Sequence, residues 1–533
     1  MILSASTKRF IRSKVWMHST LPKAGFQTSV ASWNRRIVPL TTSKRPELKR
    51  HNHFKQISQD DLDYFRTVLS PNNILHDTTE QTPGSSFWPL NVDFFNLYRG
   101  SSTLCLYPTN TQQVADILRY CNTNRLAVVP QGGNTGVSGG AVPVFDEIII
   151  NMSKMNNIRS FDNISGVVVV DGGVVLEALD QYLAEKGFMV PLDLGAKGSC
   201  QLGGNVSTNA GGLRLMRYGN MHGNVLGLEI VLPDGTIVDN LSTLRKDNTG
   251  YDLKQIFIGA EGTLGLVTGV SLLTPQRPKS TNVVMVAMNT FEDVQQAFKM
   301  AKQDLSEILS AFEFWDKESI DVVKKGMNLE IPYPIASDSK FYALLESQGS
   351  NQEHDQEKLD SYLGRLLEAG VAVDGVMAQD AKQMNALWSW REKIPEAINN
   401  LGAAMTYDFA MPVPLFYKMV NDSKKYFEER GLLGEGKVYS NLLAFGHVGD
   451  GNLHIMANVK DFDPKIHENM DDFVFEWAIK HKGSITAEHG IGISKVNYMT
   501  RCKTPAQLKM MRAIKDTFDP NGIMNPYKVI PSQ

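Results

Sequence analysis

Cysteine is scarce in this 533-residue chain: Cys105, Cys121, Cys200 and Cys502 lie far apart, and no two form a C-x-x-C pair. That excludes a disulfide framework and a cysteine-rich zinc site, and it fits a reduced, intracellular setting. No uninterrupted apolar run reaches the roughly 18 residues that a membrane-spanning helix needs. Neither G-x-x-x-x-G-K-[ST] nor G-x-G-x-x-G occurs, so a phosphate loop and a nicotinamide-dinucleotide fingerprint are both missing. No period of about 20–50 residues recurs, which excludes a repeat architecture. Acid is absent from one end. Lys8, Arg9, Arg12, Lys14, Lys23, Arg35, Arg36, Lys44 and Arg45 all precede the first acidic residue, Glu47, among many serines and threonines. This is the composition of a mitochondrial transit peptide. Residues 1–50 are therefore predicted to be a targeting segment and disordered arm, and the protein to reside in the mitochondrial matrix. Without those nine cations the formal net charge falls from −3 to −12. An acidic body disfavours nucleic acid as a partner.

What remains has the length for two or three domains and an ample core. Residues from about 56 to 76 predict a short helix and loop, with Asp60 as cap and Leu62, Phe65 and Leu69 on one side. "SSTLCLYPTNTQQVADILRYCNTNRLAVVPQGG" reads as strand, helix, strand, with Thr109 or Asn110 capping the helix. Apolar runs follow at "EIIINM", "GVVVVDGG", "LEIVLPDGTIVD" and "LGLVTGVSLLT", separated by glycines. Near Pro275–Pro278 the glycine density drops. Strands such as "TNVVMVAM" and "KFYALLES" then alternate with helices such as "FEDVQQAFKMAKQDL" and "DQEKLDSYLGRLLEAG". The change places the main boundary there and predicts two domains, a glycine-rich 51–277 (core about 98–277) and a helix-rich 278–533.

Three glycine-rich loops dominate the first domain: "VVPQGGNTGVSGG" (128–140), "LDLGAKGSCQLGGNVSTNAGG" (192–212) and "FIGAEGTLG" (257–265). Glycine clusters let the backbone approach a ligand and turn its N–H groups toward an anion. Three such loops within one domain, each expected to follow an apolar strand, point to a large phosphorylated cofactor.

In the second domain, "AFGHVGDGNLHIMANV" (444–459) places two histidines around an Asp-Gly pair. If Asp450 and Gly451 are the centre of a two-residue hairpin turn, His447 sits directly opposite His454 on one face of the sheet. Two imidazoles so placed can share one ion, although an ordinary hairpin with incidental histidines has the same sequence.

"PQGGNTG", "PLDLGAKGSCQLGGNVSTNAGG", "LRKDNTGYDLKQIFIGAEGTLG", "GHVGDGNLH", "AEHGIG" and "DPNGIMNPYK" appear in order over residues 85–530. Together they resemble the FAD-linked D-2-hydroxy acid dehydrogenases, flavoproteins of the vanillyl-alcohol-oxidase type. The resemblance implies an α+β, two-domain flavoprotein: a vanillyl-alcohol-oxidase-type FAD-binding domain followed by an α+β substrate or cap domain whose C-terminal segment returns to the flavin. It implies FAD along Gly132, Gly133, Asn134, Thr135 and Gly136, then Gly198, Ser199, Gly203, Gly204, Asn205, Thr208 and Asn209, with Glu261, Gly262 and Asn525 nearby. Some fold relatives tether flavin through a histidine where this chain has Asn134, so FAD is expected to be non-covalent. The resemblance further implies that His447, His454 and Glu488 hold a divalent metal, with His489 beside them as the acid–base residue. Zinc is the first expectation for such a set; manganese, iron and cobalt are allowed by ligand type. A cation there lowers the pKa of a substrate hydroxyl, and histidine ordinarily titrates near neutrality. Arg391, in "LWSWREKIPEA", is implied to bind the substrate carboxylate, for which a planar fork is suited.

Three positions depart from the hydroxyglutarate pattern: Pro395 replaces a hydroxyl residue, Thr406 a lysine and Met456 an asparagine. D-2-hydroxyglutarate and D-lactate are both expected substrates, and the loss of polar partners favours D-lactate or a more apolar D-2-hydroxy acid. Electron-transfer flavoprotein, cytochrome c, a quinone or an oxo acid are the expected acceptors, and a homodimer is allowed. Two other readings exist. A metal-dependent hydrolase on the same histidines leaves the glycine loops without a role, and a catalytically impaired FAD-binding relative is permitted by the three departures.

Overall fold

The computed structural model describes residues 38–79, 81–327, 333–459 and 464–531. Most of the expected targeting segment, residues 1–37, lies outside them. Residues 38–50, expected as part of a disordered arm, are held in place. The Thr41 amide donates to Arg99 O at 2.8 Å, Thr41 Oγ1 accepts from the Arg99 amide at 2.9 Å, and Val38 packs with Trp88 and Val92. The class is α+β, and the described residues form two compact units. One comprises 38–212, 218–277 and 488–531; the other comprises 213–217 and 278–487.

In the first unit a four-stranded sheet has the order β1-β2-β4-β3: β1 (Ile74–His76), β2 (Leu104–Leu106), β3 (Val128–Gln131) and β4 (Ile148–Asn151). β2 and β3 both run parallel to β4, so β2 must reach β3 by a crossover. Helix Thr111–Thr123 supplies it. Asn110 caps that helix by accepting from the Gln113 amide at 3.0 Å, and Val114, Ile117, Leu118 and Cys121 form its buried face. An earlier helix, Gln59–Val68, is capped by Ser58 rather than Asp60. The Asp61 carboxylate accepts from the Ser58 amide and hydroxyl at 2.8 and 2.7 Å, a reciprocal cap two residues ahead of the expected one. A second, antiparallel sheet runs β5-β6-β9-β7-β8: β5 (Ile158–Asp162), β6 (Val167–Asp171), β7 (Val225–Val231), β8 (Ile237–Asn240) and β9 (Leu266–Leu273). Every residue of β6 is buried, which is why its four valines show no alternation. The chain's last segment runs along β3: Val128 N donates to Ile523 O at 2.9 Å and Asn525 N donates to Val128 O at 2.8 Å. The C-terminal residues thereby reach the loop that follows β3.

The other unit is built on one antiparallel sheet of seven strands among the described residues, ordered β13-β10-β12-β11-β15-β16-β14. These are β10 (Ser280–Met288), β11 (Leu309–Asp316), β12 (Phe341–Gly349), β13 (Asp374–Met377), β14 (Ala403–Ala410), β15 (Tyr439–His447) and β16 (Asn452–Val459). Helix Phe291–Asp304 begins with a reciprocal Thr290–Asp293 cap, and helix Ala381–Glu392, capped by Asp380, carries Arg391 near its end. Trp315, Trp390, Leu443, Phe445 and Met456 share one buried cluster with Ile394 and Ala397 of the following helix. β11 and β16 are buried along their whole length, so any ionisable side chain on them needs a partner.

Candidate active site

In the first unit the glycine-rich loops enclose a cavity of about 320 Å³. Only the first of them follows a strand, β3. Residues 194–201 are turns leading into a short helix, Leu202–Ser207, and the third loop follows helix Lys254–Phe257 and leads into β9. Glycine at this density offers no period by which a helix could be foreseen. Gly133 shows why a side chain is excluded: a Cβ there would lie 1.9 Å from Ser199 O. The Gly203 amide likewise donates to Gly172 O at 2.7 Å. A Cβ on Gly136 or Gly204 would meet nothing within 4 Å, so backbone faces open space on the cavity side.

Of the expected cofactor residues, Gly132, Gly133, Asn134, Thr135, Gly136, Gly203, Gly204, Asn205, Thr208, Glu261 and Gly262 line this cavity. Gly198, Ser199, Asn209 and Asn525 are not among the lining residues. Ser199 O backs Gly133, and Asn209 Oδ1 accepts from the His222 amide at 3.0 Å. Asn525 Nδ2 donates to Gly140 O and Glu261 O at 3.0 and 2.8 Å. Asn134, at φ +50°, spends its amide on Pro89 O and Val92 O at 3.0 and 2.8 Å, so it shapes the loop through its backbone. Desolvation raises the pKa of the half-buried Glu261, while the amides of Ile491 and Gly492, both at 2.8 Å, and Lys495 and Lys528 oppose the shift. Burial pushes Lys528 down to about 8 against the pull of Glu147 and Glu261. Its ammonium donates to Val142 O at 2.5 Å and Asn525 Oδ1 at 2.6 Å.

Sequence reasoning missed two wall residues that bear on the cofactor. Gln201 Oε1 and the expected Asn205's Oδ1 are buried acceptors with no hydrogen-bond partner. Acceptors in that condition fit a ligand that brings its own N–H and O–H donors, as a ribityl-flavin does. Gln131, also missed, ties its amide to Leu90 O and Ala141 O, both at 2.9 Å, at the root of the first loop. Glu488 and His489 complete the lining. Their stretch is an irregular bend, and Ser138 Oγ donates to His489 O at 3.1 Å.

The second unit holds the imidazoles. His447 pairs across the sheet with Asn452, and Phe445 pairs with His454. The expected two-residue turn is in fact four residues, 448–451, with Gly451 at φ +80°. The register is therefore displaced by two from the one expected. An even displacement leaves every side chain on its face, so the two rings are diagonal neighbours, not direct opposites. Their Nε2 atoms are 3.3 Å apart. Each histidine also has an acid as its cross-strand partner, which the sequence did not reveal: Glu313 on β11 opposite His447 and Asp408 on β14 opposite His454. His447 Nδ1 lies 2.8 Å from Glu313 Oε1. Nδ1–H donation to that carboxylate leaves the Nε2 lone pair available, the arrangement of metal-binding histidines. Two nitrogens on one tetrahedral ion at about 2.0–2.1 Å would be roughly 3.3 Å apart, so the pair fits a shared cation.

Arg391 is buried, not on a helix surface. Its Nε donates to Glu313 Oε2 at 3.0 Å, its Nη2 pairs with the same oxygen at 2.9 Å, and its Cζ lies over the Phe445 ring, 4.5 Å from the ring centre. Asp408 Oδ2 accepts from Thr486 Oγ1 and the Ala487 amide at 3.1 and 2.9 Å. The peptide bond after Ala487 leads to Glu488, one Cα step of about 3.8 Å along the chain. The acid partner of His454 thus anchors the segment from which Glu488 and His489 emerge. Thr406 and Met456 are direct cross-strand partners. Met456 is fully buried, and Pro395 occupies the first turn of helix Ile394–Asn400, where the ring is tolerated.

Residues 103–240 match the family "FAD binding domain", and residues 277–529 match "FAD linked oxidases, C-terminal domain". A putative mitochondrial D-lactate dehydrogenase of Schizosaccharomyces pombe is 47% identical, the match covering 91% of this chain and 92% of that protein. A mitochondrial D-2-hydroxyglutarate dehydrogenase of Arabidopsis thaliana is also 47% identical, over 91% of this chain and 84% of its own. A D-2-hydroxyglutarate–pyruvate transhydrogenase of Saccharomyces cerevisiae is 44% identical over 93% and 99%. Among solved structures, p-cresol methylhydroxylase shares the fold at a TM-score of 0.71, with 16% identity, 89% of this chain and 98% of that one covered. The glycine-loop cavity and nearly half-identical relatives along nine-tenths of its length agree: the chain belongs to the FAD-linked family of the D-2-hydroxyglutarate and D-lactate dehydrogenases and is an FAD-linked oxidoreductase.

Proposed function

We propose that this chain oxidises a D-2-hydroxy acid with a short or apolar side chain, D-lactate being the reference case, to the 2-oxo acid. The observation that carries the reading is the imidazole pair, with Nε2 atoms 3.3 Å apart and His447 Nδ1 committed to Glu313. FAD, held non-covalently by the loops that line the cavity, supplies the acceptor for hydride from C2. A divalent metal, zinc by first preference, on His447, His454 and Glu488 supplies Lewis acidity toward the substrate hydroxyl. Arg391 binds the substrate carboxylate with guanidinium N–H groups that Glu313 does not use. A ring nitrogen of His489 accepts the hydroxyl proton.

Selectivity follows from the sheet face that bears the histidines. Along β16 the same face carries Met456 two residues beyond His454, and Met456 is packed among Trp390, Leu443 and Phe445. A second carboxylate placed there would lose its hydration without a cation, at a cost of several kcal/mol. The purified yellow protein is expected to be bleached anaerobically by D-lactate and not by L-lactate, with a specificity constant for D-2-hydroxyglutarate at least about tenfold lower. A preference for D-2-hydroxyglutarate over D-lactate would overturn the apolar assignment.

The cofactor assignment has its own test. Acid precipitation should release the flavin and leave a white pellet, because Asn134 offers no ring nitrogen for a covalent link; a yellow pellet would refute non-covalent binding. Mitochondrial residence is supported by the names of the S. pombe and A. thaliana relatives and by the basic, acid-free N-terminal segment; the matrix is the compartment proposed. The name of the S. cerevisiae relative makes an oxo acid the first electron acceptor to try, ahead of electron-transfer flavoprotein, cytochrome c or a quinone.

A further inference from the structure

We infer that Glu313 is a positioning residue that sets the metal-binding nitrogen of His447 and the carboxylate-binding face of Arg391 with one side chain; this rests on the metal reading given above. Glu313 sits in the middle of β11 between Phe312 and Phe314, and it is 1% exposed. Such a site would expel a lone carboxylate. Two N–H donors and a buried ion pair keep it there. Oε1 takes His447 Nδ1 at 2.8 Å, Oε2 takes Arg391 Nε at 3.0 Å, and Arg391 Nη2 lies 2.9 Å from the same Oε2. The direct cross-strand pairing of Glu313 with His447 fixes the first contact through the sheet. The second holds the guanidinium in place, with its Cζ 4.5 Å from the centre of the Phe445 ring.

The division of oxygens matters. Oε1 selects the tautomer of His447 that leaves Nε2 as a donor to an ion. Oε2 occupies one edge of the Arg391 fork and so leaves a defined remainder for a substrate carboxylate. Since both oxygens belong to one rigid group, the spacing between the hydroxyl-activating and carboxylate-binding ends of the site is held by a covalent unit. A plain counter-ion for Arg391 would need only the second contact.

The test separates these roles by metal binding. FAD-loaded protein is stripped with a chelator and titrated with Co²⁺, read by its visible ligand-field absorption, for wild type, Glu313→Gln, Arg391→Met and the double variant. Wild type and Arg391→Met are expected to bind cobalt alike. Glu313→Gln and the double variant are expected to bind it about 10–100-fold more weakly, with altered absorption. Glu313→Gln should also raise KM for D-lactate at least about tenfold. Where Glu313→Gln is recovered unfolded, the double variant, which carries no unpaired buried cation, gives the answer. Unchanged cobalt affinity and spectrum in the Glu313 variants would overturn the inference. A wild-type protein that takes up no cobalt would instead overturn the metal reading, and the inference with it.

Discussion

Replacing His489 with alanine is expected to slow flavin reduction by D-lactate about 10²–10⁴-fold, or roughly 2.7–5.5 kcal/mol in the barrier, while bound FAD stays at the wild-type level. His489 lines the glycine-loop cavity; its Nε2 lies 3.8 Å from Glu488 Oε1, and Ser138 Oγ donates to its carbonyl at 3.1 Å. The loop therefore has a reason to keep its shape when the ring is removed, and the loss should fall on proton transfer. Anaerobic stopped-flow measurement of flavin bleaching reads this directly. A reduction rate within about threefold of wild type would remove His489 from the reaction, since a general base is worth far more than that.

Gly133→Ala is expected to cost most of the bound flavin. The added methyl would stand 1.9 Å from Ser199 O and 3.2 Å from Cys200 Cα. Both are backbone atoms and cannot rotate aside as a side chain can. Overpacking of this kind costs about 1–3 kcal/mol. The two loops can escape it only by parting, and the cavity lies on both of them. A fall of about one to two decades in FAD affinity is the expected result, measured by fluorescence titration of the flavin-free protein. Gly364→Ala is the matched control. It lies within helix Gln352–Glu368 with nothing within 4 Å of its added Cβ, and alanine there should leave flavin affinity untouched and add up to about 1 kcal/mol of stability. Equal flavin affinity in Gly133→Ala and wild type would show that the loops do not grip the cofactor as described.

The facing of the two histidines was legible because it depends only on parity. A turn between two strands returns the chain to the same face whenever the register changes by an even number, so the four-residue turn at 448–451 moved His447 opposite Asn452 without turning it over. The turn length itself was not legible from Asp450-Gly451. The Gly449 amide bonds to Phe312 O at 3.3 Å, a partner 137 positions earlier that no local window contains. Glu313 and Asp408 escaped notice for a related reason. Each is a single acid inside an apolar strand, "FEFW" and "TYDFA", and only the strand order β11-β15-β16-β14 brings them beside the imidazoles. Arg391 was legible as a residue type yet not as a buried one, because its helix shows no strong apolar face to mark inside from outside. The lone acid in "FEFW" was the available signal: a charge amid aromatics implies a partner.

Glu313–His447 and His454–Asp408 are two cross-strand pairs on one face of the sheet, offset by two residues along the strands, and Thr406–Met456 is a third pair one same-face step beyond the second. That step is about 6.6 Å in a β-strand. The pairs that the proposed chemistry uses and the pair proposed to meet the substrate side chain thus follow one another along the strands. On that reading this scaffold could exchange one fuel for another by editing the Thr406–Met456 pair alone, with both histidine–acid pairs left standing.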